Sequence, residues 1–239
     1  MYFTYEGIKI YYKKNGRGKK SLIFLHGWGA EHSCFLPYKD CFENNYNCLL
    51  IDFPPFGKSQ EPKTVWGVEE YAKMLKAIVD FLKLKEIIII AHSFGCRVAI
   101  KFSNCYTKLV KALILIGAAG CKPRRGLNYH FKVLKYKLSK NKNSLAGSAD
   151  YVALSPHMRK CFIKIVNTFQ EPEMKALALP TLLIFGEKDR DTPLYMAKRM
   201  KKFIKNSKLV VIKNASHFCF IEKFDLVFDN ICSFLKECE

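Results

Sequence analysis

The sequence predicts an α/β fold: a mostly parallel sheet of eight strands with helices on both faces. Three observations predict it. Apolar runs of strand length alternate with amphipathic segments of helix length, the pattern of a parallel sheet buried on both sides. The length of 239 residues suits one domain, since α/β folds reach ~200 to 250 residues as a single unit. With 49% apolar and 26% charged residues the chain has the material for a core, which excludes a disordered polyelectrolyte.

In chain order, Tyr2 to Tyr5 and Ile8 to Tyr12 read as an N-terminal hairpin turning near Gly7. The strands Ser21 to His26, Asn47 to Phe53, Glu86 to His92, Val110 to Gly117, Thr181 to Phe185 and Lys208 to Lys213 follow, and these are expected to be parallel. Between them, Val68 to Leu82 carries Tyr71, Ala72, Leu75, Ile78, Val79 and Leu82, the stripe of an amphipathic helix. Phe94 to Phe102, Pro193 to Ile204 and Phe224 to Leu235 serve as further crossovers. The rhythm fails between Cys121 and about Glu173. Unstructured loops beyond ~12 to 15 residues are uncommon in compact domains. Residues 121–173 are therefore expected to form an inserted helical lid, with 1–120 and 174–239 as the core.

The chain carries 40 Lys plus Arg against 21 Asp plus Glu, a net charge of +19. That imbalance suggests nucleic acid, yet only 7 of the basic residues are Arg and 33 are Lys, whereas base and phosphate readers favour the planar fork of Arg. Nucleic-acid binding is not expected. The longest apolar run, Ala112 to Gly120, falls well short of the ~18 residues of a membrane span. The start, Met1 to Glu6, lacks the pattern of a signal peptide, so the expected location is cytoplasmic. The 10 cysteines are scattered and form no CxxC pair, so they read as reduced, core-filling thiols, and neither a metal nor a cofactor is expected.

Ala91-His92-Ser93-Phe94-Gly95 follows the apolar run Ile87 to Ile90 and opens a helix. This is the setting of a nucleophile elbow, in which a strained turn presents the serine and small residues two before and two after it avoid clashes. A serine hydroxyl needs a base at neutral pH. His92 should point the other way along its strand; His32, His130 and His157 have no fixed relation to a strand end; His26 precedes Gly27-Trp28-Gly29, a structural turn. His217, just past the last strand in Asn214-Ala215-Ser216-His217-Phe218, remains as the base. An acid must orient it. Asp189 follows the strand ending at Phe185, with Asp191 and Glu187 as rivals that periodicity does not separate. The oxyanion donors are expected to be the backbone N–H groups of Phe94 and of Trp28, the latter between glycines that allow close approach. Phe131, Phe162, Phe218 and Cys219 are candidate contacts of the pocket or lid.

With those residues in place, the chain resembles the α/β-hydrolase fold superfamily over essentially its whole length. The motifs are the HGWG turn at His26, the Asp52-Phe53-Pro54-Pro55-Phe56-Gly57-Lys58-Ser59 loop, the elbow at Ser93, and the GEKD and NASH segments. Pro55 and Ser216 stand where glycines are usual. The resemblance implies an α/β-hydrolase fold, a helical lid over the site, and Asp189 rather than Asp191 as the acid. Serine at the elbow separates the chain from the dehalogenase and epoxide hydrolase branches, and HGWG with a basic lid is most similar to the pimeloyl-carrier-protein methyl ester esterases. The expectation is a serine hydrolase of a small-molecule carboxylic ester or thioester, acting through an acyl-enzyme. A C–C bond hydrolase or lyase with the same triad, or a ligand-sensing protein with slow turnover, are the alternatives. From Ile87 to Ala149 there are 12 basic residues and no acid. This strip, with Arg124, Arg125 and the lysines after them, reads first as a solvated, lysine-biased face; the alternative is that it steers an anionic substrate or an acidic carrier protein to the site.

Overall fold

The computed structural model describes residues 1–124 and 154–238. Its strands are β1 (Tyr2–Tyr5), β2 (Ile8–Asn15), β3 (Ser21–Leu25), β4 (Asn47–Ile51), β5 (Ile87–His92), β6 (Val110–Ile116), β7 (Thr181–Gly186) and β8 (Ser207–Ile212). The helices are α1 (Leu36–Phe42), entered through a 3-10 turn at His32–Phe35, α2 (Val68–Phe81), α3 (Phe94–Cys105), α4 (Pro156–Val166), α5 (Glu171–Ala176), α6 (Leu194–Phe203), α7 (Cys219–Glu222) and α8 (Phe224–Glu237). These strands form one sheet in the order β1-β2-β4-β3-β5-β6-β7-β8. β1 and β2 are antiparallel to each other and β2 to β4, while every pairing from β4 through β8 is parallel.

Alternation along the strands builds two cores. Ile23, Leu25, Ile87, Ile89, Ala91, Leu113, Leu115, Leu183 and Phe185 face one side, where α2, α3 and α6 cover them. Leu22, Phe24, Ile88, Ile90, Ile114, Ile116, Leu182 and Ile184 face the other, under α1 and α8. A side-chain period of two puts neighbours on opposite faces, so a run such as Ile87 to Ile90 feeds both layers. α2 earns its helix from Tyr71, Leu75, Ile78 and Val79 on one stripe, and its first turn carries Glu69 and Glu70, which suit the positive end of the helix dipole.

β2 runs to Asn15 rather than stopping at Tyr12, because Lys13, Lys14 and Asn15 pair with Leu50, Leu49 and Cys48. α1 falls where Cys41 reads as helical, although the sequence pattern does not delimit it. It is one short segment, Leu36 to Phe42, that lacks a full apolar period, and Tyr38 anchors it by donating to the Phe220 carbonyl at 2.7 Å. In the segment read as a lid, α4 is capped by Ser155, whose Oγ accepts the Met158 N–H at 3.1 Å. Among the described residues no helix is long and apolar enough to cross a membrane.

Register brings the strand ends together. Leu25 pairs with Ala91, Ala91 with Leu115, and Ile116 with both His92 and Ile184. The loops after β3, β5, β7 and β8 therefore leave the same edge of the sheet, where open α/β folds place their ligand sites.

Candidate active site

Ser93 stands between β5 and α3 with φ 50° and ψ −109°. That left-handed φ is rare and strained for a residue with a side chain. The surrounding backbone fixes it: the Ser93 N–H donates to the Ile116 carbonyl at 3.0 Å, and the Ser93 carbonyl accepts from Cys96 N–H at 3.1 Å. Gly95 permits the close approach of α3 to β3, since a Cβ there would lie 2.3 Å from the Leu25 carbonyl oxygen. The small residue two after the serine is thus a steric requirement. Ser93 lines a cavity of about 430 Å³ together with Trp28, His92, Phe94, Arg97 and His217.

His217 reaches that cavity from the loop after β8. Gly186, at the end of β7, lets this loop sit against it, because a Cβ there would be 2.0 Å from the Ser216 carbonyl oxygen. His217 Nδ1 lies 2.8 Å from Asp189 Oδ2. With Nδ1–H donating to the carboxylate, the partners assign the tautomer that leaves Nε2 as an acceptor. Asp189 is held by its own turn: Oδ1 accepts the N–H groups of Asp191 at 2.9 Å and Thr192 at 2.8 Å, and Oδ2 accepts Thr192 Oγ1–H at 2.7 Å. Burial by itself pushes the Asp189 carboxyl up, but the hydrogen bonds from His217 and Thr192 overcome it and hold the group below its ordinary value. It stays ionised where an imidazolium could form.

The rivals have other duties. Glu187 accepts the Asn214 N–H at 2.9 Å and ties two loops together. Asp191 is exposed at the cavity rim. Asp189, Asp191 and His217 bring ligand atoms within 4.8 Å of one another, yet both Asp189 oxygens and His217 Nδ1 are already engaged in hydrogen bonds.

Trp28 sits on the loop after β3, and Phe94 opens α3 directly after Ser93. Their backbone N–H groups donate to no protein group among the described residues, which leaves them available to a developing oxyanion. The Trp28 ring packs edge-on to Phe56, Phe94 and Phe162. Phe162, from α4, and Phe218 line the cavity as the sequence suggested. Cys219 does not: it is fully buried in the core under α1 and α8, and burial pushes its thiol up to about 12. Arg124 lies with its guanidinium 4.9 Å from the Tyr195 ring and is not among the residues lining the cavity. Phe131 and Arg125 lie outside the described residues.

Three histidines set aside from sequence have defined places. His26 Nε2 accepts the Phe53 N–H at 2.8 Å while Nδ1 pairs with the Gly27 carbonyl at 2.7 Å, so this ring closes the HGWG turn; burial pulls it down to about 4. His32, expected to lack a relation to any strand end, in fact grips one: Asp52, just past β4, accepts both its N–H at 2.7 Å and its Nδ1–H at 2.8 Å. His92, expected to point the other way along its strand, instead lines the same cavity as Ser93, with its ring 4.7 Å from that of His217. Its Nε2–H donates to the His217 carbonyl at 3.0 Å, bracing that loop. Burial, then the neighbouring His217, pulls His92 down to about 3. Sequence patterning missed Thr192, His92 and Arg97 as parts of this cavity, although each stands within four residues of a motif position.

Comparison with known proteins agrees with this geometry. A family model described as the alpha/beta hydrolase fold matches residues 20–150, and one described as TAP-like protein matches residues 153–239. The uncharacterized hydrolase YugF of Bacillus subtilis is 25% identical, covering 98% of this chain and 97% of that protein. A 2-hydroxy-6-oxononadienedioate/2-hydroxy-6-oxononatrienedioate hydrolase of Paraburkholderia phymatum is 25% identical, covering 88% of this chain and 85% of its own. Among solved structures, an alpha/beta hydrolase from a Medee basin deep-sea metagenome library aligns with a TM-score of 0.81 at 18% identity, covering 99% of this chain and 97% of that one. An esterase from Exiguobacterium antarcticum aligns at 0.78 and 21%, covering 97% of both chains. Sheet order, a strained serine after the central β5 and full-length similarity converge: this chain belongs to the α/β-hydrolase fold family.

Proposed function

We propose that this protein is a serine hydrolase that cleaves a carboxylic ester or thioester through an acyl-enzyme. The observation that carries the reading is the 2.8 Å bond between His217 Nδ1 and Asp189 Oδ2, made by a ring that lines the same cavity as the strained Ser93. Ser93 Oγ attacks the carbonyl carbon and its proton passes to His217 Nε2. The resulting imidazolium is stabilised by Asp189, and the amides of Trp28 and Phe94 receive the negative oxygen. Collapse expels the alcohol or thiol with the proton from His217. Water then repeats the sequence on the acyl-serine and releases the acid.

Ser93→Ala is the test. Turnover of a short p-nitrophenyl ester should fall on the order of 10⁶-fold, and labelling by a fluorophosphonate should vanish. Equal hydrolysis by wild type and variant contradicts the reading.

A second reading is favoured by the relatives named as 2-hydroxy-6-oxo acid hydrolases, to which this chain is similar over most of its length. There the same three residues would cleave a C–C bond in a dicarbonyl substrate. Fluorophosphonate labelling of Ser93 without ester turnover, alongside cleavage of a 2-hydroxy-6-oxo acid, would select it.

A further inference from the structure

The cavity beside Ser93 holds a cation that the steps above do not use. Arg97 lies in the first turn of α3, four residues after Ser93. It is only 8% exposed, yet it lines the cavity. A guanidinium carries five N–H donors. Nη1 donates to the Thr168 carbonyl, which ties α3 to the segment after α4. Among the described residues that is the side chain's single protein hydrogen bond, and none of its remaining nitrogens is fully enclosed without a partner. Because Arg97 lines the cavity, a ligand there can meet donors that the Thr168 carbonyl leaves unused.

No carboxylate pairs with Arg97 among the described residues; Arg199, by contrast, pairs with Glu171. Asp191, which also lines the cavity, forms no ion pair with Arg97. Burial pulls the guanidinium down to about 10, so it remains charged at neutral pH. The cavity walls near it, Ala119, Phe162, Ile165 and Val166, are apolar and offer no compensation. An enclosed cation without a counter-ion is costly to fold around, and sites that tolerate one commonly receive the missing anion from a ligand.

We propose that Arg97 anchors a carboxylate carried by the substrate, so that the preferred ester or thioester is a short dicarboxylic monoester whose free acid end meets the guanidinium while its other carbonyl lies over Ser93. A short chain suits the two ends, since Ser93 and Arg97 line one cavity of about 430 Å³. The planar fork suits a carboxylate in a two-point contact that a lysine could not reproduce. This inference deepens the hydrolase reading and rests on it for the position of the scissile bond, but the anion site itself does not require turnover.

Equilibrium binding separates the two. Calorimetry with glutaramate, an uncleaved acid amide, and with neutral valeramide should show the acid binding wild-type protein roughly 10-fold tighter or more, the ratio that a hydrogen bond to a charged group carries. Arg97→Gln should abolish that preference, and Arg97→Lys should restore part of it. The matched aryl esters, mono-p-nitrophenyl glutarate and p-nitrophenyl valerate, should show the same ratio in kcat/KM. Equal affinity for acid and amide in the wild type overturns the inference without recourse to any variant, as does an Arg97→Gln protein that keeps the preference with an unchanged melting curve. If the acid is preferred but Ser93 resists fluorophosphonate, the hydrolase reading fails while the anion site stands. If Ser93 reacts but acid and amide bind alike, the anion site fails alone.

Discussion

Among the described residues stand two buried histidine–aspartate pairs of equal length, His217–Asp189 and His32–Asp52, each 2.8 Å between Nδ1 and a carboxylate oxygen. Their side chains are also enclosed alike, 9% and 0% exposed in the first and 10% and 0% in the second. Neither distance nor burial separates them. What differs is the far side of the ring and the remaining work of the carboxylate. His217 turns toward the cavity that Ser93 lines. His32 packs 5.0 Å from the Tyr11 ring, and its partner Asp52 also accepts the Lys58 N–H at 2.9 Å, closing the loop that runs to Ser59. Gly57 makes that closure possible, since a Cβ there would sit 2.3 Å from Asp52 Oδ2. A histidine–aspartate pair is thus a general way to fix a ring, and it becomes proton-transfer machinery only beside a nucleophile.

The comparison can be broken by making the same change in both pairs. Asp189→Asn should reduce ester turnover about 10⁴-fold, by analogy with triads in which the acid is neutralised. Asp52→Asn should leave kcat/KM within about threefold but cost about 1.5–3 kcal/mol of stability, the range for hydrogen bonds to a charged group, seen as a Tm lowered by several degrees. Similar kinetic losses in both variants would dissolve the distinction.

A smaller effect concerns how the serine is presented. Gly95→Ala places a methyl 2.3 Å from a backbone oxygen that cannot swing aside. It should lower turnover about 10²-fold, as misplacement by an ångström does, and destabilise by about 1–3 kcal/mol as overpacking. Unchanged kinetics in this variant would show that the turn after β5 tolerates movement.

The smallest effect is on stability alone. His92 is held near 3 and His26 near 4, both by burial, against about 6.5 in the unfolded chain. The fold favours their neutral forms, so their contribution is complete above pH ~6.5 and declines as pH falls from there toward the folded values, by up to about 1.4 kcal/mol per pH unit for each ring. Asp189 acts in a lower window: its depressed folded value makes its contribution complete above about 3.9 and lost as pH drops through the folded value. Urea unfolding at pH 7, 6 and 5 checks this, and replacing His92 with Asn should flatten the slope by one proton's worth.

The fold was legible because a parallel sheet writes itself as apolar runs: Ile87 to Ile90 and Leu113 to Ile116 are buried on both faces and read as strands without ambiguity. α1 was legible only as a helical reading at Cys41, since its anchorage comes from Tyr38 and Phe42 packing against a helix nearly 200 residues away in sequence. Ser93 and His217 announce themselves through local motifs. The Thr192 hydroxyl on Asp189, the Asp52 grip on His32 and the Arg97 bond to the Thr168 carbonyl do not. Each joins groups through three-dimensional contacts in which at least one partner carries no compositional mark.

Only one of these two histidine–aspartate pairs should activate a nucleophile, and that nucleophile should be Ser93. The direct measurement is the second-order rate of fluorophosphonate labelling, with the modified peptide identified by mass spectrometry, in wild type, Asp189→Asn and Asp52→Asn. The account predicts a label on Ser93, a rate within about threefold of wild type for Asp52→Asn, and a loss of about 10³–10⁴-fold for Asp189→Asn. A label on another residue, or equal losses in the two variants, would contradict it.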